Sequence, residues 1–318
     1  MRVIVTGATG YIGSRIAVRL QGAGAEVVAS GRREAPELEA LGLRFRRADL
    51  TDARAAASLL QGADVVLHCA AWMGSRGEPG AGQSVNVDAT AGVARACAAG
   101  GVGRLVHVSS IAACGPPGGR PRVGGGAPAD PEQAYPYGRT KAQGELAVRA
   151  VASATGLPLV IVRPGLVHGP GSEPWTRDLQ ARVRRGARTR VGDGRGLAPL
   201  VYIENLLDVL EACVSHPDAP SRVFHVVDEP VTWRQLFDAH ARYARRPARS
   251  LPAWVARAVA RIGETTGWVV PITRYRLDFV LAQTDYRDGE VEQRLGITQR
   301  VAFPEAMEAS WRWLEATS

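Results

Sequence analysis

Short apolar runs alternate with amphipathic stretches over the first 165 residues of the chain. Strands that are apolar throughout and separated by helices indicate a parallel sheet covered on both faces. The intervening stretches, such as "NVDATAGVARACAAGG", end at glycine, which is common just after a last helical turn. The pattern therefore predicts an α/β, doubly wound core over residues 1–165. Its predicted strands lie at 2–7, 26–30, 43–48, 64–70, 104–110 and 157–164.

The regular alternation of apolar runs and amphipathic stretches ends after residue 165. The segment 169–199 is rich in glycine, proline and arginine and predicts a loop with one helix near 175–186. Beyond it the pattern predicts a strand–helix piece at 200–214, a strand at 222–228 and helices near 232–245, 251–263 and 304–316. We expect residues 166–318 to form mainly a smaller substrate-binding lobe, with 200–228 returning to the core sheet. The glycine- and proline-rich stretch at 116–131 predicts a flexible loop.

Composition places the chain among soluble globular proteins. Of its 318 residues, 46% are apolar and 22% charged, which is ordinary for that class. No apolar run reaches the roughly 18 residues that a membrane span needs, and a strand beginning at Arg2 leaves no room for a signal peptide. The four cysteines show no C-x-x-C and no metal-ligand spacing, so we expect reduced thiols, no metal and a cytoplasmic location.

The formal net charge of +8 is not concentrated in one patch. The arginines are scattered apart from one cluster at 182–190. We therefore expect solvated helix and loop faces, or an anionic substrate or cofactor, and no nucleic-acid partner. Lys141 is the only lysine among the 39 basic residues.

The motif "VTGATGYIGSR" lies between the first predicted strand and the first predicted helix. Glycines at this junction allow a tight turn, close approach to a pyrophosphate and close helix–strand packing. The helix N-terminus adds free N–H groups and partial positive charge. The spacing G-x-x-G-x-x-G resembles that of the short-chain dehydrogenase/reductase superfamily. The expected cofactor contacts in this motif are Gly7, Thr9, Gly10, Tyr11, Ile12 and Gly13.

The end of the second strand, "VVASGRRE", bears on which dinucleotide binds. An NAD enzyme usually has Asp or Glu here to bond the ribose 2′-hydroxyl. This chain has Gly31, which leaves room, followed by Arg32 and Arg33, whose guanidinium groups can grip a 2′-phosphate. The sequence favours NADP(H), with NAD(H) as the alternative if both arginines simply face solvent.

The same resemblance implies further cofactor contacts. Asp49 and Leu50 follow the third strand, where related proteins bond the adenine. Ala70 and Ala71 close the fourth strand on the nicotinamide side, and Pro164 ends the sixth strand.

Tyr137 and Lys141 form a Y-x-x-x-K pair whose i,i+4 spacing puts both side chains on one helix face. Upstream, "VHVSSIAACG" ends the fifth strand with Ser109 and Ser110. Serine after the fifth strand followed by Tyr-x-x-x-Lys resembles the catalytic triad of short-chain dehydrogenases. With "TGATGYIG" and "VIVRPGLVHGPG" it resembles the extended branch over essentially the whole chain. In that pattern Ser110 matches the catalytic serine better than Ser109.

Reduction or oxidation chemistry explains these residue types. Tyr137 would be the acid/base, but a free phenol has a pKa of about 10. A nearby ammonium favours the phenolate, so we expect Lys141 to lower that pKa and to bond the nicotinamide ribose. The planar fork of arginine cannot do both, which explains the retained lysine. Ser110 would hold the substrate oxygen.

The substrate half of the chain suggests an apolar substrate. Nucleotide-sugar epimerases of the extended branch usually carry Tyr where this chain has Cys114, and many carry an arginine–aromatic signature for which only Arg195 is available here. Segments such as "LVYIENLLDVL" and "PITRYRLDFV" instead resemble the 3β-hydroxysteroid dehydrogenase-like group. The resemblance implies an NADP(H)-dependent oxidoreductase interconverting a ketone and a secondary alcohol. A nucleotide-sugar epimerase/dehydratase is the main alternative, and a non-catalytic NADP-binding sensor, which commonly lacks the Tyr/Lys pair, is a weaker one.

Three further expectations concern the pocket and the surface. Trp72 and His168 fall in loops expected near the pocket mouth, where they would shape the substrate site. The apolar face of 251–262, with Trp254 on it, predicts packing on the lobe, a substrate lid or a membrane-surface contact. The family also implies a homodimer that pairs through the helix after Tyr137.

Overall fold

The computed structural model describes residues 1–74, 80–266 and 273–317. Its strands are β1 (Arg2–Thr6), β2 (Glu26–Gly31), β3 (Arg44–Arg47), β4 (Val65–His68), β5 (Arg104–Val108), β6 (Leu159–Pro164), β7 (Leu166–His168), β8 (Arg188–Val191), β9 (Leu197–Ala198), β10 (Leu200–Tyr202), β11 (Val223–Val226), β12 (Val231–Thr232) and β13 (Arg249–Leu251). Its α-helices are α1 (Tyr11–Gly22), α2 (Pro36–Ala40), α3 (Ala53–Leu60), α4 (Thr90–Ala99), α5 (Pro136–Thr155), α6 (Asp178–Arg184), α7 (Ile203–Ser215), α8 (Trp233–Ala244), α9 (Ala253–Thr266), α10 (Arg274–Leu281), α11 (Glu290–Leu295) and α12 (Phe303–Ala316).

Seven strands form one parallel sheet in the order β11-β6-β5-β4-β1-β2-β3. One apolar layer covers one face with α1 and α7, and a second layer covers the other with α3, α4 and α5. The predicted doubly wound parallel fold is confirmed. The chain order reverses between β1 and β4, and ligands of such sheets bind beyond the carboxyl ends of the strands at that point.

The remaining strands form three two-stranded sheets outside the main one. β7 pairs with β10 and β8 with β13, both in parallel, while β9 pairs antiparallel with β12. Within 200–228, β11 joins the main sheet beside β6, whereas β10 does not. A third apolar cluster, built largely from α6 and α8, forms the interior of the C-terminal part.

The segment 116–131 contains no helix or strand, but contacts hold it in place. Val123 is only 2% exposed and its N–H donates to the Asp285 carbonyl at 2.9 Å. The Gly125 N–H donates to the Asp288 carboxylate. The predicted irregular backbone is present, anchored against the residues after α10.

Helix α9 packs through a different face from the one that the sequence predicts. Ala256 and Ala260 pack against Leu277 of α10, whereas Trp254 is 73% exposed. Small alanine side chains let the two helices approach closely, so they displace the larger residues to the outer face. Among the described helices none is long and apolar enough to cross a membrane.

Candidate active site

The turn after β1 is shaped for close contact with its neighbours. Gly7 has φ +68°, a region that L side chains rarely adopt, and a Cβ there would lie 2.5 Å from the Ala70 backbone nitrogen. A Cβ at Gly13 would collide with the Gly7 carbonyl oxygen. Only glycine at both positions lets β1, α1 and the end of β4 meet.

Helix α1 begins at this turn without a side-chain cap. Gly10 is its N-cap residue and offers no hydrogen-bonding side chain, so the first-turn N–H groups around Ile12 face outward for a ligand. The Tyr11 hydroxyl donates to the Pro170 carbonyl at 3.1 Å and ties α1 to the loop after β7. These residues fit the pyrophosphate of a dinucleotide.

At the end of β2 the Thr9 side chain lies directly against Gly31. A Cβ on Gly31 would lie 2.7 Å from the Thr9 side chain, so a carboxylate at this position would displace Thr9. Arg32 and Arg33 are exposed, and in the described part of the chain neither forms an ion pair. Asp49 accepts from the Thr51 N–H and hydroxyl, and these bonds lower the pKa of its carboxyl.

Four residues expected to contact the cofactor lie at or just after the carboxyl ends of the sheet strands: Leu50, Ala70, Ala71 and Pro164. Leu50 packs on the α3–α5 layer, Ala70 touches the glycine turn and Pro164 closes β6. Ala71 lies half-buried just after β4. The next residue of the loop after β4, Trp72, forms hydrogen bonds with Asn86.

Asn86 holds the loop after β4 in place through hydrogen bonds. This role was not predicted from the sequence. Its Oδ1 accepts from the Trp72 N–H at 2.7 Å, and its Nδ2 donates to the Trp72 carbonyl at 3.0 Å. Nδ2 also donates to Thr140 Oγ1 at 2.9 Å, which joins the loop to α5. The sequence signal was an asparagine at the start of the helical stretch "NVDATAGVARACAAGG". Trp72 itself lies beside Gly74, close to Tyr137.

The two serines after β5 have different partners. Ser110 is the N-cap of the 3₁₀ turn Ile111–Cys114 and accepts from the Ala112 N–H at 3.2 Å. Its hydroxyl is near enough to the Tyr137 phenol to lower the pKa of that phenol. Ser109 is buried and donates to Glu145 Oε2 at 3.1 Å. The structure thus brings Ser110, and not Ser109, to Tyr137.

Tyr137 and Lys141 lie on the same helix, but their electrostatics differ from the expectation. Loss of hydration raises the pKa of Tyr137 to about 12, with the Ser110 hydrogen bond opposing the rise. Lys141 is 2% exposed, its Nζ donates to the Val108 carbonyl at 2.7 Å, and burial lowers its pKa to about 8. The expected lowering of the Tyr137 pKa by Lys141 is therefore wrong for this geometry, because the ammonium is directed at β5.

A buried ion pair behind the catalytic helix was also missed. Arg163 Nε donates to Glu145 Oε2 at 2.9 Å, and Arg149 adds a bond to Oε1 at 3.0 Å. These cations keep the pKa of the Glu145 carboxyl below its usual value despite burial. The available signal was Glu145 four residues after Lys141, on the same helix face.

Cys114 faces this cluster. Arg163 Nη1 donates to its sulfur at 3.2 Å, and His225 Nε2 lies 3.8 Å from the sulfur. Burial raises the pKa of the thiol. The position that the sequence assigned to substrate is thus an interior contact of Arg163.

Two other expected substrate residues lie elsewhere. His168 is in β7 and not in a loop: it is buried, and its ring contacts Tyr202 and Phe303 at 5.7 and 6.2 Å between centroids. Burial lowers its pKa to about 3. Arg195 is exposed and pairs with Asp193 at 3.0 Å, because its short turn offers that carboxylate as the nearest partner.

Residues 3–226 match the family model described as "NAD dependent epimerase/dehydratase family". The match covers well over half of the chain and includes the glycine turn, Ser110, Tyr137 and Lys141. The chain belongs to this family. The predicted family and the predicted class of NAD(P)-dependent enzyme are thereby confirmed.

Curated relatives carry two kinds of activity in their names. A 2-alkyl-3-oxoalkanoate reductase from Stenotrophomonas maltophilia (strain K279a) is 35% identical over 208 residues, covering 64% of this chain and 62% of that protein. A UDP-glucose 4-epimerase from Vibrio cholerae is 30% identical over 241 residues, covering 71% and 70%. The chain thus spans less than two thirds of the length of the reductase.

A solved structure agrees over the whole chain. "MoeE5 in complex with UDP-glucose and NAD" aligns with a TM-score of 0.77 and 26% identity, covering 100% of this chain and 99% of that one. The shared fold includes both the main sheet and the C-terminal part.

Proposed function

We propose that the protein uses NADPH to reduce a ketone to a secondary alcohol on a bulky, largely apolar substrate. The observation that carries the proposal is the end of β2, where Gly31 lies against Thr9 and two exposed arginines follow. The Gly31–Thr9 contact leaves no place for the side-chain carboxylate that would repel a 2′-phosphate, and the two arginines supply cations that could bind one. A net reductase draws on NADPH as its reductant.

The catalytic step follows from Ser110 and Tyr137. The Ser110 hydroxyl acts on the pKa of the Tyr137 phenol and is therefore close to it, so a carbonyl oxygen placed beside both hydroxyl groups would accept from both. Bound NADPH would supply the hydride to the carbonyl carbon. Tyr137 would give its proton to the oxygen, and with its pKa raised to about 12 it holds that proton through the neutral range.

Lys141 would act on the cofactor. Its buried ammonium donates to the Val108 carbonyl at 2.7 Å, and its two other N–H donors would bond the nicotinamide ribose hydroxyls. Burial lowers the pKa of Lys141 to about 8, so most molecules hold the charge at neutral pH. The tyrosinate left after each reduction would take a proton back from solvent, which the raised pKa of Tyr137, about 12, favours.

The proposed substrate class rests on the contacts made by the arginines that could bind a nucleotide diphosphate. Arg195 is paired with Asp193, and Arg190 donates to Asp238 at 3.1 Å and to Ser250 at 2.8 Å. Arg190 is therefore held by protein groups, whereas the exposed Arg195–Asp193 pair is worth at most about 1 kcal/mol. A nucleotide diphosphate would have to compete with the Arg190 contacts. The related reductase is named for 2-alkyl-3-oxoalkanoates, and we extend that ketone class to this chain.

A nucleotide-sugar epimerase or dehydratase is the second candidate. It is favoured by the family, by the related UDP-glucose 4-epimerase and by the structure that contains UDP-glucose. A non-catalytic NADP-binding sensor is disfavoured, because Ser110, Tyr137 and Lys141 are all present at one site.

A cofactor balance separates the two enzyme classes. The protein is incubated with NADPH and either 2-alkyl-3-oxo esters or UDP-, GDP- and TDP-sugars, while nicotinamide absorbance and product are followed. We expect one NADPH consumed per alcohol formed, with Tyr137→Phe as the inactive control. Conversion of a nucleotide sugar without net NADPH consumption would overturn the reductase proposal.

We further propose a cytoplasmic homodimer that pairs through α5. This helix exposes Leu146, an apolar side chain at the surface, and the four free thiols suit a reducing compartment. Light scattering of wild-type protein and of Leu146→Asp tests the dimer: a mass of two chains that falls to one in the variant supports it, and a wild-type monomer contradicts it.

A further inference from the structure

Three aromatic rings extend from the catalytic tyrosine into the C-terminal part of the protein. The Tyr135 ring meets the Tyr137 ring edge-on, with 6.0 Å between centroids and 66° between planes. Tyr275 of α10 stacks on Tyr135 at 4.4 Å and 20°. Phe279, one turn later on α10, lies nearly parallel to Tyr275 at 6.4 Å and 9°. We call Tyr135, Tyr275 and Phe279 the aromatic wall.

The wall is held firmly from behind. Phe279 packs against two apolar clusters, one containing Trp233 and the other containing Ile111 and Cys114. Tyr135 is the N-cap residue of α5, so the helix that carries Tyr137 also fixes the first ring. The half-buried rings Tyr135 and Tyr275 are therefore positioned by rigid elements and not by a loop alone.

The rings of the wall are partly shielded from water. Burial raises the pKa of the phenols of Tyr135 and Tyr275. Over the residues that the structure describes, neither phenol oxygen has a hydrogen-bond partner. A half-buried aromatic surface beside a reacting group offers dispersion contact and burial to hydrocarbon, and little to a phosphate or a sugar hydroxyl.

We propose that the aromatic wall is the subsite for the hydrocarbon group attached to the reacting carbonyl, with Tyr275 setting the length of group that is accepted. This inference rests on the proposed ketone reduction and specifies which ketones the protein prefers, by the length of their hydrocarbon group. Each methylene that leaves water on the wall increases kcat/KM by about three- to fourfold until the wall is covered.

If Tyr275 had only a structural role, its substitution would affect substrates of every length alike. Loss of packing would lower the stability of the protein and slow all substrates by a similar factor. A subsite instead changes the dependence on substrate length while leaving the shortest substrate little affected. The slope of log(kcat/KM) against chain length is therefore the readout.

The test uses ethyl 3-oxoalkanoates whose chains lengthen by one methylene at a time. We expect wild-type kcat/KM to rise by about three- to fourfold per methylene, and Tyr275→Ala to flatten this slope. Tyr275→Phe keeps the ring and should keep the slope. Tyr243→Ala is the matched control, because Tyr243 stacks on Trp311 at 5.5 Å on α8 and α12, away from the wall.

A second variant and a binding measurement test the subsite even where no turnover is observed. Tyr275→Trp enlarges the ring and should shift the preferred chain to a shorter length. Binding of the same esters is measured on Tyr137→Phe protein, with and without Tyr275→Ala, so that no turnover is needed. A length-dependent Kd that Tyr275→Ala abolishes supports the subsite even where the wild type reduces no ester, and in that case the proposed reduction alone falls. An unchanged slope in Tyr275→Ala, or no length dependence in either turnover or binding, overturns the subsite.

Discussion

Arg163 Nε on β6 donates to Glu145 Oε2 on α5 across 2.9 Å, and the two side chains are 1% and 0% exposed. The pair joins α5, the helix that carries Tyr137, to the strand that ends at Pro164. Breaking a buried pair from one side leaves an uncompensated charge, which costs about 3–5 kcal/mol. We therefore expect Glu145→Gln to lower the free energy of unfolding by about that amount in urea denaturation.

The control for this change is an exposed glutamate in a surface pair. Glu34 lies 3.7 Å from Arg47, and both side chains are largely exposed. Glu34→Gln should change stability by less than about 1 kcal/mol. If both variants shift the urea midpoint equally, the pair does not hold the helix as described.

The proton donor and the lone lysine should each be indispensable to turnover. Tyr137→Phe removes the proton and should reduce kcat by about 10²–10⁴ while leaving NADPH affinity near wild type. Lys141→Arg should fail as well, because the site is almost wholly buried and a planar fork does not fit where a compact ammonium sits. Arg139→Lys, an exposed position on the same helix, is the matched control and should keep the wild-type rate. A Lys141→Arg enzyme with most of its activity would contradict this account.

Cofactor choice should depend on the two arginines after β2. Arg32→Ala with Arg33→Ala removes the charge-assisted bonds to a 2′-phosphate, worth about 1.5–3 kcal/mol. NADPH affinity should fall about ten- to a hundredfold while NADH affinity stays the same, as measured by titrating each cofactor into the protein. Arg44→Ala on β3, exposed and facing Glu26, is the control. Equal losses for both cofactors would show that the arginines act on something other than the phosphate.

The stability of the protein should depend on pH through Lys141. Its pKa is about 8 in the folded protein and about 10.5 when unfolded. Between these values the unfolded chain keeps the proton that the folded protein has released, so raising the pH through this window favours the folded state. Relative to Lys141→Met, the wild type should gain about 3 kcal/mol in free energy of unfolding between pH 8 and 10.5. Parallel pH profiles for the two proteins would refute the lowered pKa.

The core could be predicted from the sequence because parallel strands buried on both faces are apolar from end to end. The run at 157–164 illustrates this: β6 spans Leu159–Pro164 inside the sheet. The close packing at the glycine turn could also be predicted, because one local motif forms the whole turn. The placement of Tyr137 and Lys141 on one helix could be predicted because i,i+4 spacing is visible in the sequence.

Contacts between distant segments could not be found this way. Tyr135 and Tyr275 stack at 4.4 Å, yet nothing in either local pattern points to the other. On α9 the large side chains suggested the buried face, but close approach to α10 favours Ala256 and Ala260. His168 was placed in a loop because a three-residue strand such as β7 leaves too short a pattern to recognise.

The solitary lysine makes the catalytic centre spectroscopically isolated. Since Lys141 is the one lysine in the chain, protein grown with isotope-labelled lysine carries a single reporter, located beside Tyr137. Its side-chain resonance needs no assignment, and its titration near pH 8 reads the protonation state of the site directly. A composition that avoids lysine everywhere else thus lets nuclear magnetic resonance observe one buried ammonium group.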